Sequence, residues 1–215
     1  FSFTSREAAA ALVAAVLASS LEPERLAWLN AGALERVGSE RAEAALAVSV
    51  ATVAEAVASQ GAEVNSMASR LGARVSALEE GFWTRVGGAL ASSTVVKLAS
   101  EIRRLPFWAA EVERVISRHG LTVSLVGEAG NGILRAAVEG SVSPDTWGRE
   151  IVAPLREALA AEGGSFVVER APLGLKRAAD VWGPVPETAL AVMKRLKTEF
   201  DPRGVLNPGR FVGGL

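Results

Sequence analysis

The stretch LTVSLVGEAGNGILRAAV, residues 121–138, decides the fold. Two apolar, partly β-branched runs, 121–126 and 133–138, flank a glycine-rich segment, a pattern typical of two antiparallel strands joined by a tight turn. The pair Asn131-Gly132 can supply the positive φ angles of a type I′ turn. A dinucleotide-binding loop needs G-x-G-x-x-G between a strand and a helix, whereas this segment reads G-x-x-G-x-G before a strand. The pattern therefore favours a β-hairpin over a phosphate-binding loop.

The segments around this hairpin repeat one order of elements twice. We predict an α+β fold of two ferredoxin-like βαββαβ units that share one large antiparallel sheet, with helices covering one face. A C-terminal helix and a hooked segment follow. In the first unit the predicted strands are 1–4, 25–30, 44–50 and 74–78, with helices 5–20 and 52–71. Asn30-Ala31-Gly32 is predicted to form a turn after the second of these strands. In the second unit the predicted strands are 94–99, 121–126, 133–138 and 165–169, with helices 106–118 and 145–162.

With these two units, the chain is predicted to consist of three parts. Residues 1–92 form the first ferredoxin-like half with a connecting helix over 79–92, and residues 93–184 form the second half. Residues 185–215 form the last helix and the hook, which together are too short to be a domain and should pack onto another surface.

Composition excludes several classes of function. The chain has 215 residues, 23 Lys and Arg against 24 Asp and Glu, one His and no Cys. The balanced charge gives no electrostatic case for binding nucleic acid. The absence of Cys excludes thiolate catalysis and Cys-based zinc sites, and one His excludes a multi-histidine metal site within this chain. The apolar run 8–17 is too short to span a bilayer, so we expect a soluble, cytoplasmic protein.

Charged residues near the ends of the second unit suggest a binding site. Glu169 and Arg170 end its last strand, whereas Arg85 and Lys97 lie on the preceding helix and strand. Singly, each is a surface charge or an ion pair of little energetic value. Together the cations form a candidate pocket for a small carboxylate, because Arg binds carboxylates through two hydrogen bonds. Both interpretations stay open on the residues alone.

The tail carries the most specific motif. MKRLKTEFDPRGVLNPGRF, residues 193–211, resembles the C-terminus of FAD-linked oxidases of the vanillyl-alcohol-oxidase type, which ends in K-x-x-x-D-P-x-x-x-x-N-P-G-K/R. Within that family the order of motifs is most similar to the E-type subunit of bacterial glycolate oxidase. The resemblance implies the cofactor FAD, bound mainly by a domain absent from this chain. It also implies that Asn207, in the hook, lies near the flavin ring.

The family's catalytic motifs are altered in this chain. Catalytic relatives carry H-x-G-D-G-N-x-H on the hairpin and a later G-S-x-x-x-E-H. By this resemblance Glu128 and Arg135 stand at the two histidine positions and Asn131 at the aspartate position. Glu169 is retained, and Arg170 stands where the proton-accepting histidine would be. An arginine cannot act as a general base, so we expect no metal site and no metal-assisted hydroxy-acid oxidation.

The resemblance implies a function for the longer protein. It implies an FAD-dependent oxidoreductase subunit of a glycolate oxidase complex, which converts glycolate to glyoxylate, in an electron-transfer or supporting role. The implied partners are a flavin-bearing D-type subunit and an iron–sulfur F-type subunit, with a peripheral inner-membrane location through the complex. The basic set Arg85, Lys97, Arg135 and Arg170 would then hold the carboxylate of a small 2-hydroxy acid. Two alternatives stay open: a stand-alone FAD-linked oxidase of another small hydroxylated substrate, and a non-catalytic assembly module.

Overall fold

One antiparallel sheet organises the chain in the computed structural model, which describes residues 1–215. Its seven strands lie in the order β1-β3-β2-β5-β6-β4-β7. The α+β fold predicted from the sequence is confirmed. The strands are β1 (Ser2–Phe3), β2 (Arg25–Asn30), β3 (Ala44–Ser49), β4 (Thr94–Ala99), β5 (Thr122–Glu128), β6 (Ile133–Glu139) and β7 (Ser165–Arg170).

The strand order shows two ferredoxin-like halves placed edge to edge. Strands β1, β3 and β2 are neighbours in the first half, and β5, β6, β4 and β7 are neighbours in the second. The halves meet where β2 pairs with β5, through Ala27 with Glu128, Trp28 with Gly127 and Leu29 with Val126. We call this junction the seam. The boundaries of the predicted parts, 1–92, 93–184 and 185–215, stay predictions.

The strand predicted over 74–78 is wrong. Only Arg74 pairs, in a single bridge with Ser2 in which each backbone N–H donates to the other's carbonyl at 2.9 Å. Strand β1 is only two residues long, so a strand over 74–78 would have no partner beyond this single bridge. The connecting helix predicted over 79–92 is also shorter, because it begins only after Gly81, whose φ is 75°.

The helices otherwise follow the predicted order, with two short additions, Ala31–Arg36 and Leu173–Ala178. Asn30, predicted to start a turn, instead caps a short helix, since its side chain accepts a hydrogen bond from the Ala33 amide. None of the helices is both long and apolar enough to cross a membrane. The helices are α1 (Arg6–Leu17), α2 (Ala31–Arg36), α3 (Ala54–Arg70), α4 (Phe82–Gly88), α5 (Leu105–Ser117), α6 (Pro144–Thr146), a π-helical stretch (Trp147–Val152), α7 (Ala153–Ala161), α8 (Leu173–Ala178) and α9 (Glu187–Phe200).

Helices cover one whole face of the sheet and part of the other. On the first face, the larger core contains Trp28, Leu98 and Leu134 beneath α1, α5 and α7. Helices α2 and α4 cover the second face over the first half, which corrects the expectation of one covered face. Small residues permit this close packing, since a Cβ at Gly32 would lie 2.5 Å from the carbonyl oxygen of Val123. The smaller core does not extend over β4, β6 and β7, so their second face is left for a functional site.

The predicted hairpin is confirmed, but its predicted turn type is wrong. Strands β5 and β6 are joined by the four residues 129–132, in which only Gly132 has a positive φ, of 74°. Asn131 instead uses its side chain, whose Oδ1 accepts from the Ile133 amide at 3.2 Å. Its Nδ2 donates to Glu128 Oε2 at 2.8 Å, so the turn and the strand end are tied together.

Candidate functional site: a charged network on the second sheet face

Five of the predicted site residues meet on the second face of the sheet. Arg135 is central: its Nη1 donates to Glu128 Oε1 at 2.6 Å, and its Nε lies 3.3 Å from both oxygens of Glu169. Lys97 Nζ lies 3.8 Å from Glu169 Oε1, and Asn131 binds Glu128 from the turn. We call these five residues the charged network.

The strand register explains why the network forms. Lys97 on β4 lies directly opposite Arg135 on β6. Like charges in that position repel, so the pair needs a carboxylate beside it. Glu169 on β7 supplies one: it follows Val168, which belongs to the larger core, and lies where the pairing of β7 with β4 shifts by one residue. The predicted grouping of these strand residues therefore follows from topology.

The network is electrically balanced and partly exposed. Two cations face two carboxylates, with side-chain exposures of 29% for Arg135 and 34% for Lys97. The hydrogen bond from Asn131, reinforced by that from Arg135, holds the pKa of the Glu128 carboxyl below its usual value. Glu128 is therefore ionised near neutral pH and serves as an acceptor and a counter-ion.

The network has donors that can bind a polar group, and both of its carboxylates are engaged by Arg135. Arg135 Nη2 and Lys97 Nζ form no hydrogen bond within the chain, so both are donors open to a ligand. Both carboxylates already hold the Arg135 guanidinium, which does not titrate in proteins. No group of three or more His, Cys, Asp or Glu side chains converges to form a metal site.

Two of the predicted cations have hydrogen-bond partners outside the network, and the binding role predicted for all four stays a prediction. Arg85 Nε donates to the carbonyl of Val37 at 3.1 Å, and its Nη2 pairs with Glu79. Arg170 Nη2 donates to the carbonyl of Leu90 at 2.7 Å, not to Glu169 or Asp180. Each guanidinium is thus engaged by the chain beside α4 rather than by the network.

A cleft of about 670 Å³ opens beside the network, and the sequence pattern did not reveal it. Its polar end is formed by Glu128, Asn131 and Arg135, and Trp83 on α4 forms part of its wall. The Arg25 guanidinium lies 5.1 Å from the centre of the Trp83 ring. The lining comes from four distant segments, 16–27, 83–90, 126–131 and 135, which no local periodicity connects.

The C-terminal tail is organised by Asp201. This side chain is 5% exposed; its Oδ2 accepts from Lys197 Nζ at 2.6 Å and from the Leu206 amide at 2.9 Å. Its Oδ1 accepts from the Val205 amide at 3.0 Å. The ammonium of Lys197 and these amides lower the pKa of Asp201 from 3.8 to about 2. The spacing of Lys197 and Asp201 in the tail motif thus has a direct structural reason.

The tail presents an apolar stripe. Val192, Leu196 and Phe200 recur every four residues along α9 and are 54%, 54% and 80% exposed. No residue of α9 is buried. The tail contacts the sheet domain through Trp182, whose Nε1 donates to the Arg210 carbonyl at 3.3 Å. An exposed stripe of this kind marks an interaction surface.

The low pKa of Asp201 predicts an acid transition confined to the tail. A group whose pKa is depressed by folding stabilises the folded state above its unfolded pKa, and this stabilisation is lost as pH falls through the folded value. We expect the amides of Val205 and Leu206 to lose protection from hydrogen exchange as pH falls from about 4 to about 2.

The Asp201→Asn variant should lack this pH dependence and should exchange both amides faster at pH 7, because it loses the charge that holds Lys197. Glu199→Gln, on the same helix and exposed, is the matched control and should behave as the wild type. Equal protection in the Asp201→Asn and wild-type proteins would contradict this account of the tail.

Asn207 lies in the hook and lines a second cleft, of about 510 Å³, with Met193, Leu196 and Phe211. It is the one non-glycine residue with a positive φ, of 47°. Nothing in this arrangement tests its predicted place near a flavin, which stays a prediction.

Comparison with known proteins assigns the family. The search of curated proteins found no match for this chain. The model of the family described as FAD linked oxidases, C-terminal domain, matches residues 2–211, which span the sheet, the charged network and the tail motif. The chain therefore belongs to the C-terminal domain family of the FAD-linked oxidases, whose cofactor is FAD.

Proposed function

We propose that this chain is the cap and C-terminal portion of an FAD-dependent subunit of a glycolate oxidase complex, in a supporting or electron-transfer role. The observation that carries the role is Arg135, whose guanidinium lies between Glu128 and Glu169. A cation fixed there repels a divalent metal ion, and it offers no base for removing the hydroxyl proton of a hydroxy acid.

The glycine-rich segment of this chain does not fit the pyrophosphate of FAD. The glycine-rich segment 127–132 is a hairpin tip, so it does not place backbone amides at a helix N-terminus for phosphate binding. The apolar stripe Val192, Leu196 and Phe200 and the hook offer a surface for a flavin-binding domain. Bound FAD would supply an acceptor for electrons, and the residues of this chain would hold a carboxylate ligand beside it.

The charged network would hold the substrate carboxylate. Lys97 Nζ and Arg135 Nη2 are donors without hydrogen-bond partners on neighbouring strands, and an Arg can bind a carboxylate at close range. Glu128 and Glu169 keep the guanidinium fixed, so the donors are oriented before the ligand arrives. A small 2-hydroxy acid suits this arrangement.

The longer protein would have two partner subunits and a place at the membrane. A D-type flavin subunit would perform the metal-assisted oxidation, and an iron–sulfur F-type subunit would accept the electrons. The complex would be cytoplasmic and peripheral at the inner membrane. The apolar stripe of the tail supports the proposal that this chain docks onto a further surface.

The visible spectrum in the flavin band tests this function. We expect this chain alone to stay colourless after FAD is added, and a version extended upstream by its flavin-binding domain to become yellow. The extended protein should turn over glycolate only with its partner subunits. If both versions stay colourless, the non-catalytic assembly module replaces the flavoprotein proposal.

A stand-alone oxidase of another hydroxylated substrate is the second candidate, and the cleft of about 670 Å³ favours it. A two-carbon acid fills only a small part of such a volume, which lies within the range of sites for larger ligands. Turnover of a hydroxylated compound by the extended protein without partners would support this candidate over the complex.

A further inference from the structure

A groove of about 910 Å³ lies beside the short strand β1, at the edge of the first half. One wall is the edge of β3 over residues 46–50, and the other is the segment 75–81. We call this space the edge groove. Its lining includes Val64 of α3, in the larger core, and Phe82 of α4, in the smaller core. The edge groove therefore reaches both faces of the sheet and lies in the layer of the sheet itself.

The walls of the edge groove carry backbone groups without partners. Strand β3 pairs with β2 along its whole length, but with β1 over only two residues. The amide and carbonyl of Leu46 bond to Phe1, and those of Val48 point the same way because the direction alternates along an antiparallel strand. Residues 75–78 make no backbone hydrogen bond within the chain. Both walls thus offer the groups with which a further strand would pair.

Strand β1 fixes the width and direction of the edge groove. Phe1 exchanges two backbone hydrogen bonds with Leu46, each of 2.9 Å, and Ser2 exchanges two with Arg74 on the other side. The groove is therefore one strand wide at this end, and a segment that continues β1 beyond the Phe1 nitrogen enters it without a turn. Burial lowers the pKa of the Phe1 amino group, so a neutral peptide amide suits this nitrogen better than an ammonium.

The alternation of side chains indicates what such a segment should contain. The side chains of Phe1 and Phe3 pack with the larger core. The residue two positions before Phe1 would point the same way, toward Val64 of α3. The residue directly before Phe1 would lie opposite Ala47, which belongs to the smaller core. Residues that are apolar or β-branched therefore suit both faces.

We propose that the edge groove holds an extended segment joined to the nitrogen of Phe1, which continues β1 between β3 and residues 75–78. The segment would be about four residues long, to match the open edge of β3, and would run antiparallel to both walls. Residues 75–78 would then form the fourth strand of the first ferredoxin-like half. The proposal rests on the backbone of this half and not on the charged network or the glycolate oxidase assignment.

Hydrogen exchange on the full chain, with and without four added residues, tests the proposal. The extension Val-Thr-Val-Thr before Phe1 forms strands readily and directs its valines toward α3. It should slow exchange of the Val48 and Ser76 amides at least about tenfold, because both amides would enter strand hydrogen bonds. The flexible extension Gly-Ser-Gly-Ser should leave both rates nearly unchanged. Equal rates with the two extensions would overturn the proposal.

Two proline variants of the extended chain test the second wall. By alternation from Arg74, Ser76→Pro removes an N–H that points into the edge groove, whereas Ala77→Pro removes one that points away from it. Both positions are exposed and outside the helices and strands, so both variants should fold normally. Ser76→Pro should abolish the protection of the Leu78 amide, and Ala77→Pro should keep it, because proline is tolerated where the lost N–H faces solvent. Equal Leu78 exchange in both variants would overturn the pairing of this segment.

The same measurement distinguishes two other occupants of the edge groove. Free Val-Thr-Val-Thr at the concentration of the protein should not protect Val48, because it lacks the high effective concentration of an attached segment. Protection by the free peptide would overturn the attachment to Phe1. Protection of Val48 in the unextended chain that rises with protein concentration would place a second copy in the groove and would also overturn the proposal.

Discussion

Replacing Gly132 with alanine should lower the free energy of unfolding by about 3 kcal/mol. The backbone there has a φ of 74°, which an L-residue with a Cβ adopts at a cost. The new Cβ would also lie 2.2 Å from the carbonyl oxygen of Ser100, a backbone atom that cannot rotate away. Urea denaturation measures the loss, and the hairpin tip that carries Asn131 should shift with it.

Gly130→Ala, two residues earlier in the same turn, is the matched control. Its φ is not positive, and nothing lies within 4 Å of the added Cβ. Its free energy of unfolding should be unchanged or rise by about 0.5 kcal/mol, because alanine restricts the unfolded chain. Equal destabilisation by the two substitutions would show that the close approach to Ser100 has no energetic consequence.

Replacing Asn30 with alanine should be about as damaging, at about 3 kcal/mol. Asn30 is 2% exposed and connects the two halves beyond the last pair of the seam. Its Oδ1 accepts from the amides of Ala33 and Leu125, and its Nδ2 donates to the carbonyl of Val123. Alanine would leave these three backbone groups buried without a partner, which urea denaturation would detect.

Two further variants test whether the loss of stability comes from these hydrogen bonds or from replacing any asparagine. Asn65→Ala, on the exposed side of α3, should leave the free energy of unfolding nearly unchanged. Asn30→Asp keeps the acceptor oxygen but loses the donor to Val123 and Glu113, so it should also be destabilised. A fully stable Asn30→Asp protein would mean that the donor bonds contribute nothing to the junction.

Local patterns predicted most of the fold, and failed where one residue permits two structures. The hairpin and the long helices follow from the spacing of apolar residues. The Asn30 side chain serves a turn and a helix N-terminus equally well, so α2 was predicted as a turn. The run 74–78 has a strand-like composition, but its only neighbour, β1, is two residues long.

The sequence could predict which site residues lie together only for residues on strands. Lys97, Arg135 and Glu169 come together because their strands are neighbours and their side chains share a face. Arg85 and Arg170 bind backbone carbonyls, whose positions depend on how α4 packs, and charge patterns do not contain that information. The cleft was missed because its lining comes from segments far apart in the sequence, which no single motif contains.

The seam has a consequence for the order in which the protein folds. Every other strand pair joins segments of the same half, whereas β2 and β5 are the pair most distant along the chain. The entropy lost on closing a loop rises with its length, so pairing β2 with β5 has the highest entropic cost of any strand pair. Each half should therefore assemble first around its own nearby contacts, and the continuous sheet should appear only in the last, slowest step.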